Sequence, residues 1–530
     1  MPDFLDIQEA PALSGAGLLG LVTTGMYNDP LSMYREYIQN AADAVGGRGF
    51  PARARVEIIV DATGRRVRIR DYGPGLSREE ALERLLPIGR SSKRLGADRG
   101  FRGVGRLAGL TFARKVSFIT RACEDQPVTK VTWHSDRLPE LTSTESELDR
   151  AVLSCVDVET LPGSDYPEHF FDVEVGDVAR HSAGLVLNRD AVRDYVGEVC
   201  PVPMNSRFPF ADRVEGLFEC AEAEGPLTLD VMLEGDSAPV ERPYGELIRL
   251  SASTEVAFTE FQEVRIPTVD DSGDAAVGWV AHSPYLGAIP KEQRVRGIRV
   301  RVGNIQIGDE RVFDRLFAEE RFNRWCVGEL HILDPRIIPN ARRDYFEPGP
   351  HLRNLENQLT PVLRNISTRC RQESAARNRS RRALSALCTI EDLYGLATSG
   401  LLNAEDSAGR VQEALREVGD LRKRIGKGSL DDDTLERLNT AEEKLNNFST
   451  ETELQPFGSI PFSEVVVYQR VFGALANLVP SGGSAREMIE TVFAEASRVG
   501  QNGSDPEPEQ EDRELNAATL DDTRAPTSRQ

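Results

Sequence analysis

Between Pro30 and Ala44, apolar or aromatic residues fall at Leu31, Tyr34, Tyr37, Ile38 and Ala41. This three-and-four spacing predicts a helix with one face left over for polar residues. The runs Val56 to Val60 and Val67 to Ile69 flank Asp61-Ala62-Thr63-Gly64 and predict a β-hairpin. Further strand-like runs at Lys115 to Thr120, Val128 to Trp133, Val152 to Val158 and Phe170 to Val175 predict an α/β sandwich closing near residue 190, so the first domain is read as residues 1–195. Cys200-Pro201-Val202-Pro203 marks a boundary. Beyond it, strands at Leu227 to Met232, Val277 to Val280, Ile298 to Val302 and Glu329 to Ile332 alternate with short helices, which predicts a second α/β domain over 200–350. A helical region, 351–500, follows. In it Val411, Leu415, Val418, Leu421 and Ile425 recur at helical spacing, Gly426-Lys427-Gly428-Ser429 interrupts, and Leu435, Leu438, Leu445 and Phe448 resume beyond three aspartates. That is an αα-hairpin over 411–448. An amphipathic piece, Phe462 to Val499, precedes a tail over 501–530 that is acidic, polar and poor in apolar residues, and reads as disordered. The fold class is α+β.

Composition changes this picture little. At 530 residues, 40% hydrophobic and 28% charged, the chain is long enough for several cores. Seven scattered cysteines without a C-x-x-C pair argue against a disulfide framework or a zinc site. No basic, apolar leader and no run of eighteen apolar residues is present, which predicts a cytoplasmic protein that does not enter a membrane. The net charge of −21 disfavours nucleic acid as a partner, since that affinity comes largely from Lys and Arg displacing counterions. The charge is uneven, however. From Arg48 to Arg121 there are eighteen basic and seven acidic residues, a local field suited to anionic ligands.

Candidate chemistry lies in three motifs. In Glu36-Tyr37-Ile38-Gln39-Asn40-Ala41-Ala42-Asp43-Ala44, Glu36, Asn40 and Asp43 stand at i, i+4 and i+7, on one helical face. A carboxylate one turn from a carboxamide can activate water and complete the oxygen shell of Mg²⁺, although the same spacing also describes a solvated face. Ile69-Arg70-Asp71-Tyr72-Gly73-Pro74-Gly75-Leu76 sets an aspartate at a strand end before two glycines. Such a carboxylate can accept a hydrogen bond from an exocyclic amine, and an ordinary Asp-x-Gly turn looks alike. The third motif joins Gly89-Arg90-Ser91-Ser92-Lys93 to Gly100-Phe101-Arg102-Gly103-Val104-Gly105-Arg106. Glycines at G-x-x-G-x-G bare the backbone N–H groups that phosphates bind. A dinucleotide fold requires that loop directly after the first strand, which is not its place here.

In this order the three motifs resemble the N, G1 and G2 boxes of the GHKL (gyrase, Hsp90, histidine kinase, MutL) ATPase superfamily, over residues of about 10 to 190. The resemblance implies a Bergerat-type α/β sandwich, an Hsp90 middle or S5-like second domain, and the cofactors ATP and Mg²⁺. It implies Glu36 as general base, Asn40 as Mg²⁺ ligand, Asp71 as the adenine-recognising carboxylate, and Asp43 as support for the base and nucleotide. Gly73 and Gly75 would shape the adenine pocket, Ser91, Ser92 and Lys93 would belong to an ATP lid, and the segment of Gly100, Arg102, Gly103, Val104 and Gly105 would hold phosphate. The glycine-threonine pair that usually precedes a later strand is only partly matched, by Gly163-Ser164, and stays out of the site. Histidine kinases fit least among the relatives, because their phosphoacceptor helices precede the ATPase domain.

In the second domain, Asn340-Ala341-Arg342-Arg343-Asp344 looks similar to the Hsp90 loop whose arginine reaches the γ-phosphate, so Arg342 and Arg343 are candidate catalytic cations; Lys291 competes. His134, His181 and His331 have no partners at metal spacing and read as ordinary histidines, and Arg369 to Arg382 as a solvated basic face. The expected protein is an Hsp90-like ATPase that works as a homodimer on a protein client or partner subunit, with closure of the lid docking the two α/β domains. A bacterial multi-protein defence system would suit it. A MutL- or MORC-like DNA-associated ATPase and a nucleotide sensor without turnover stay open.

Overall fold

In a computed structural model, the structure describes residues 29–46, 53–87, 105–137, 154–219, 226–398, 402, 404–425 and 432–449. The expected roles of Ser91, Ser92, Lys93, Gly100, Arg102, Gly103 and Val104, the 462–499 piece and the 501–530 tail lie outside the described residues. The chain divides into two compact units, 1–375 and 376–530.

Helix α1 (Ser32–Val45) opens the described chain. Tyr34, Tyr37, Ile38, Ala41, Ala42 and Val45 are buried in the first core, as the spacing predicts. The polar face differs from expectation, because Glu36 and Gln39 are buried too, at 6% and 1% exposure. A hairpin of β1 (Arg53–Asp61) and β2 (Arg66–Asp71) follows, its turn held by Gly64 N–H donating to the Asp61 carboxylate at 2.7 Å. Helix α2 (Arg78–Leu85) starts on a reciprocal cap in which Ser77 and Glu80 each accept the other's backbone N–H. A short 3-10 stretch (Gly105–Thr111) leads into β3 (Ala113–Arg121), β4 (Val128–His134), β5 (Val156–Leu161) and β6 (Phe170–Val178). Helices α3 (Arg180–Val186), α4 (Arg189–Val199) and α5 (Ala211–Glu219) come next, then β7 (Thr228–Leu233). The first sheet runs β5-β4-β3-β6-β2-β1-β7.

β7 corrects the expected domain boundary. The strand assigned to the second domain pairs parallel with β1 at the edge of the first sheet, Val56 opposite Val231, and buries Leu229, Val231 and Leu233 in the first core. Alternation predicts that a strand has a buried face, not which sheet it joins. Cys200 and Val202, read as a boundary, lie in that same core, and Leu229 N–H bonds to Pro201 O at 2.7 Å.

The ribbon β8 (Leu247–Ser251) and β9 (Thr254–Ala257) precedes the second sheet, built from β10 (Glu260–Pro267), β11 (Asp274–His282), β12 (Gly297–Val302), β13 (Ile305–Ile307) and β14 (Val327–Ile332) in the order β10-β11-β14-β12-β13. Both faces are covered. Ala276, Val280, Ile298, Val300 and Leu330 pack with Leu355, Leu359 and Leu363 of α6 (Pro350–Ala397), while Val277, Trp279 and Val327 pack with Phe208, Leu217 and Tyr244. In the second unit, the rest of α6 packs through Leu387 and Ile390 with α7 (Ala404–Ile425) and α8 (Asp432–Asn446), whose Val411, Val418, Leu421 and Leu438 line the helical core. These two helices are those of the expected αα-hairpin. No helix among the described residues is long and apolar enough to cross a membrane.

A buried polar network joins the two sheets. Arg301, 1% exposed, donates to Glu329 at 2.7 Å on β14 and to the Glu198 carbonyl at 2.7 Å at the end of α4. Arg242 also pairs with Glu329, and the Glu198 carboxylate takes Arg299 at 2.6 Å and Arg294 at 3.0 Å. The two sheets are thus in direct contact through charged side chains. His331, with Nε2 at 3.1 Å from Glu329, belongs to this network, and His134 pairs with Asp157 at 2.8 Å. Arg369 and Arg371 pair with Glu260 and Glu319, both at 2.7 Å.

Candidate active site

Helix α1 is the spine of the site. Glu36, Asn40 and Asp43 share one stripe, Glu36 buried and the other two half-buried. At the Glu36 end, Arg35 donates to Oε1 from Nη2 at 3.1 Å and from Nε at 3.3 Å. Gly105 stands directly against the other oxygen: a Cβ there would come within 2.3 Å of Oε2. A side chain there would push that carboxylate aside, whereas the bare backbone of a glycine leaves it in place. The stretch carrying Gly105 is fastened to α1 by Gly109 N–H, which donates to the Tyr37 hydroxyl at 2.8 Å.

The far end of α1 meets the second motif. A Cβ on Gly73 would touch Val45 Cγ1 at 3.3 Å and Ala44 Cβ at 3.5 Å, and would stand 2.8 Å from Asp71 Oδ1. Asp71, at the end of β2 and 5% exposed, accepts Gly73 N–H at 2.9 Å. Burial pushes its carboxyl up to about 7; the Gly73 N–H pulls it down, and the nearby charge of Asp172 adds to the rise. Gly75 has φ +62°, and a Cβ would lie 1.9 Å from the Arg121 carbonyl, so the turn Asp71-Gly75 requires glycine there twice over. From Glu36 to Ala44 the helix rises roughly 12 Å. A nucleotide lying along it would have a carboxylate at one end for its base and a carboxylate, a bare glycine and cations at the other.

The second domain reaches the Glu36 end. Pro339 and Phe346 bridge a tight loop in which Asn340 N–H donates to Tyr345 O at 2.9 Å and Arg343 N–H to Asn340 O at 3.1 Å. Arg343 adopts a left-handed φ of +57°, and its carbonyl accepts Gly308 N–H at 2.7 Å. Its guanidinium, with the side chain 11% exposed, has Nε 3.9 Å from Glu36 Oε1. Arg342 is exposed, and Lys291 stands exposed in a 3-10 turn.

Two neighbours of the site have no signal in the sequence. Arg35 adjoins Glu36 in sequence, and adjacent helical positions point about 100° apart, so spacing offers no reason to pair them. His169 donates from Nδ1 to the Gly73 carbonyl at 2.7 Å, a contact between segments 96 residues apart that no local pattern signals. Among the described residues no cluster of three or more His, Cys, Asp or Glu side chains could hold a metal by itself.

Residues 32–153 match the model of the histidine kinase-, DNA gyrase B-, and HSP90-like ATPase family. The chaperone protein HtpG of Klebsiella pneumoniae is 31% identical over 141 residues, 22% of this chain and 23% of that protein. HtpG of Azorhizobium caulinodans is 32% identical over 145 residues, 23% of this chain and 22% of the relative. HtpG of Rickettsia typhi is 29% identical over 389 residues, 65% of this chain and 53% of the relative. The chain therefore spans less than a quarter of the first two relatives and about half of the third.

Proposed function

We propose that the chain is an Hsp90-like ATPase of the GHKL superfamily, whose family model its residues 32–153 match, and that it binds Mg-ATP along α1 and hydrolyses it. The observation that carries this reading is the convergence of Glu36, Gly105 and Arg343 at one end of α1 while Asp71 and Gly73 meet the other. Asp71 accepts the adenine amine, with Gly73 and Gly75 shaping the pocket around the base. Asn40 would offer a hard carboxamide oxygen to Mg²⁺, which prefers donors of that kind. The ion, when bound, neutralises phosphate charge; Asp43 supports the base and nucleotide. Glu36 takes a proton from the attacking water. Arg343, rather than Arg342 or Lys291, supplies positive charge where the transferring phosphoryl group gains negative charge.

The wider task we propose is that of a chaperone-type machine, a homodimer acting on a protein client or partner subunit. Steady-state phosphate release with Mg-ATP, measured for wild type and Glu36→Ala beside an ATP-binding titration, tests the chemistry. Turnover falling roughly 10²- to 10⁴-fold with binding retained is expected. No ATP binding by the wild type would sink the reading. Binding without turnover in the wild type would make the chain a nucleotide sensor, and turnover stimulated by duplex DNA with a steep salt dependence would replace the chaperone-type task with a DNA-associated one.

A further inference from the structure

Arg106 follows Gly105 directly, so its backbone stands next to the glycine that touches the Glu36 carboxylate. The residue is half-buried, and its partners differ from those of the buried arginines described. Arg35, Arg242, Arg299 and Arg301 each pair with a carboxylate. Arg121 has no carboxylate, but its guanidinium donates to the carbonyls of Pro167, Tyr166 and Glu124. Among the described residues Arg106 donates to a single carbonyl, that of Pro87, and its Nε is buried with no hydrogen-bond partner. No described carboxylate pairs with it. Burial alone draws its guanidinium down to about 10, with no opposing charge to offset it.

An enclosed cation without an anion is costly, and a bound anion removes that cost. We infer that Arg106 is a phosphate-binding residue of the nucleotide site, holding a phosphate of the bound nucleotide beside Gly105 and Glu36. The inference rests on the proposed ATP site and adds to it a cation that its three motifs do not name. A guanidinium suits the role, since its fork of N–H donors matches phosphate oxygens and it stays charged when buried. The bond to Pro87 aims the group, and Nε remains for the ligand.

Equilibrium titrations of ATP and of adenosine against wild type, Arg106→Gln and Arg106→Lys test this. Glutamine can still donate to the Pro87 carbonyl but carries no charge, whereas lysine keeps the charge. The expected result is a loss of ATP affinity of about tenfold or more in Arg106→Gln, with adenosine affinity unchanged and most of the ATP affinity kept in Arg106→Lys. Adenosine binding by the same sample shows that the variant is folded. Should Arg106→Gln not fold, Arg106→Ala replaces it, and a fall of about tenfold or more in its ratio of ATP to adenosine affinity supports the inference equally. Equal ATP affinity in Arg106→Gln and wild type overturns the inference and leaves the ATP site standing, as does a parallel loss of ATP and adenosine. A wild type that binds no ATP overturns both.

Discussion

Asp71 is a carboxyl group whose environment opposes its own ionisation. Enclosed at the end of β2, with one backbone N–H to offset burial, it is raised to about 7 from an ordinary value of about 4. An amine of a bound base donates best to the ionised form, so binding draws the carboxyl down and releases a proton. Affinity should therefore rise as pH climbs through about 7. Adenosine, which has no phosphate of its own to titrate, is the probe: tighter binding about one pH unit above that value than about one below it is expected in the wild type, and a flat profile in Asp71→Asn. A wild-type profile equally flat would remove Asp71 from the base pocket. Asp71, Glu36 and Asn40 are legible in the sequence because each sits in a local motif. Arg342 and Arg343 stay alternatives there, because their order in the chain does not say which one the left-handed turn at Arg343 directs inward.

At the scale of elements, α1 and the stretch Gly105–Thr111 act as one piece. Gly109 is the contact point: a Cβ there would lie 2.5 Å from the Tyr37 hydroxyl, 2.9 Å from Val116 and 3.2 Å from Val175. None of these three neighbours can move cheaply, since all are core residues. Gly109→Ala should cost about 1–3 kcal/mol, measured as a lowered urea midpoint, and should lift Gly105 away from Glu36 so that turnover falls with it. Full stability in that variant would mean the stretch can slide along α1. The elements themselves are mostly legible, because α1, the β1–β2 hairpin and the αα-hairpin announce themselves by period and turn chemistry. The polar face of α1 is not: its period predicts a buried stripe, and only packing by the second domain's Arg343 loop and the Gly105 stretch encloses the other side.

Across the first unit, the stability of the junction between sheets rests on Glu329. It is fully buried and serves Arg242, Arg301, Tyr244 and His331 at once. Glu329→Gln leaves two enclosed guanidinium groups without an anion, and a loss of about 3–5 kcal/mol in denaturant unfolding is expected. The exposed Arg249–Glu255 pair is the control, and Glu255→Gln should barely move the midpoint. A cost for Glu329→Gln no greater than that of the control would show that the sheets are held by apolar packing alone.

Local chemistry is written in the order of residues alone: the periodic helices, the glycine turns, and the succession of three motifs that resembles the boxes of the GHKL ATPases. Those features depend on residues within a few positions of one another, and short-range sterics and hydrogen bonding act there without reference to the rest of the chain. Three features arise only when the chain is folded: β7 completes the first sheet rather than opening the second, Arg35, Arg343 and Gly105 share one carboxylate, and Arg106 has its Nε buried with no carboxylate beside it among the described residues. Each of these depends on which distant surfaces exclude water from a group, and burial of that kind has no period along the chain.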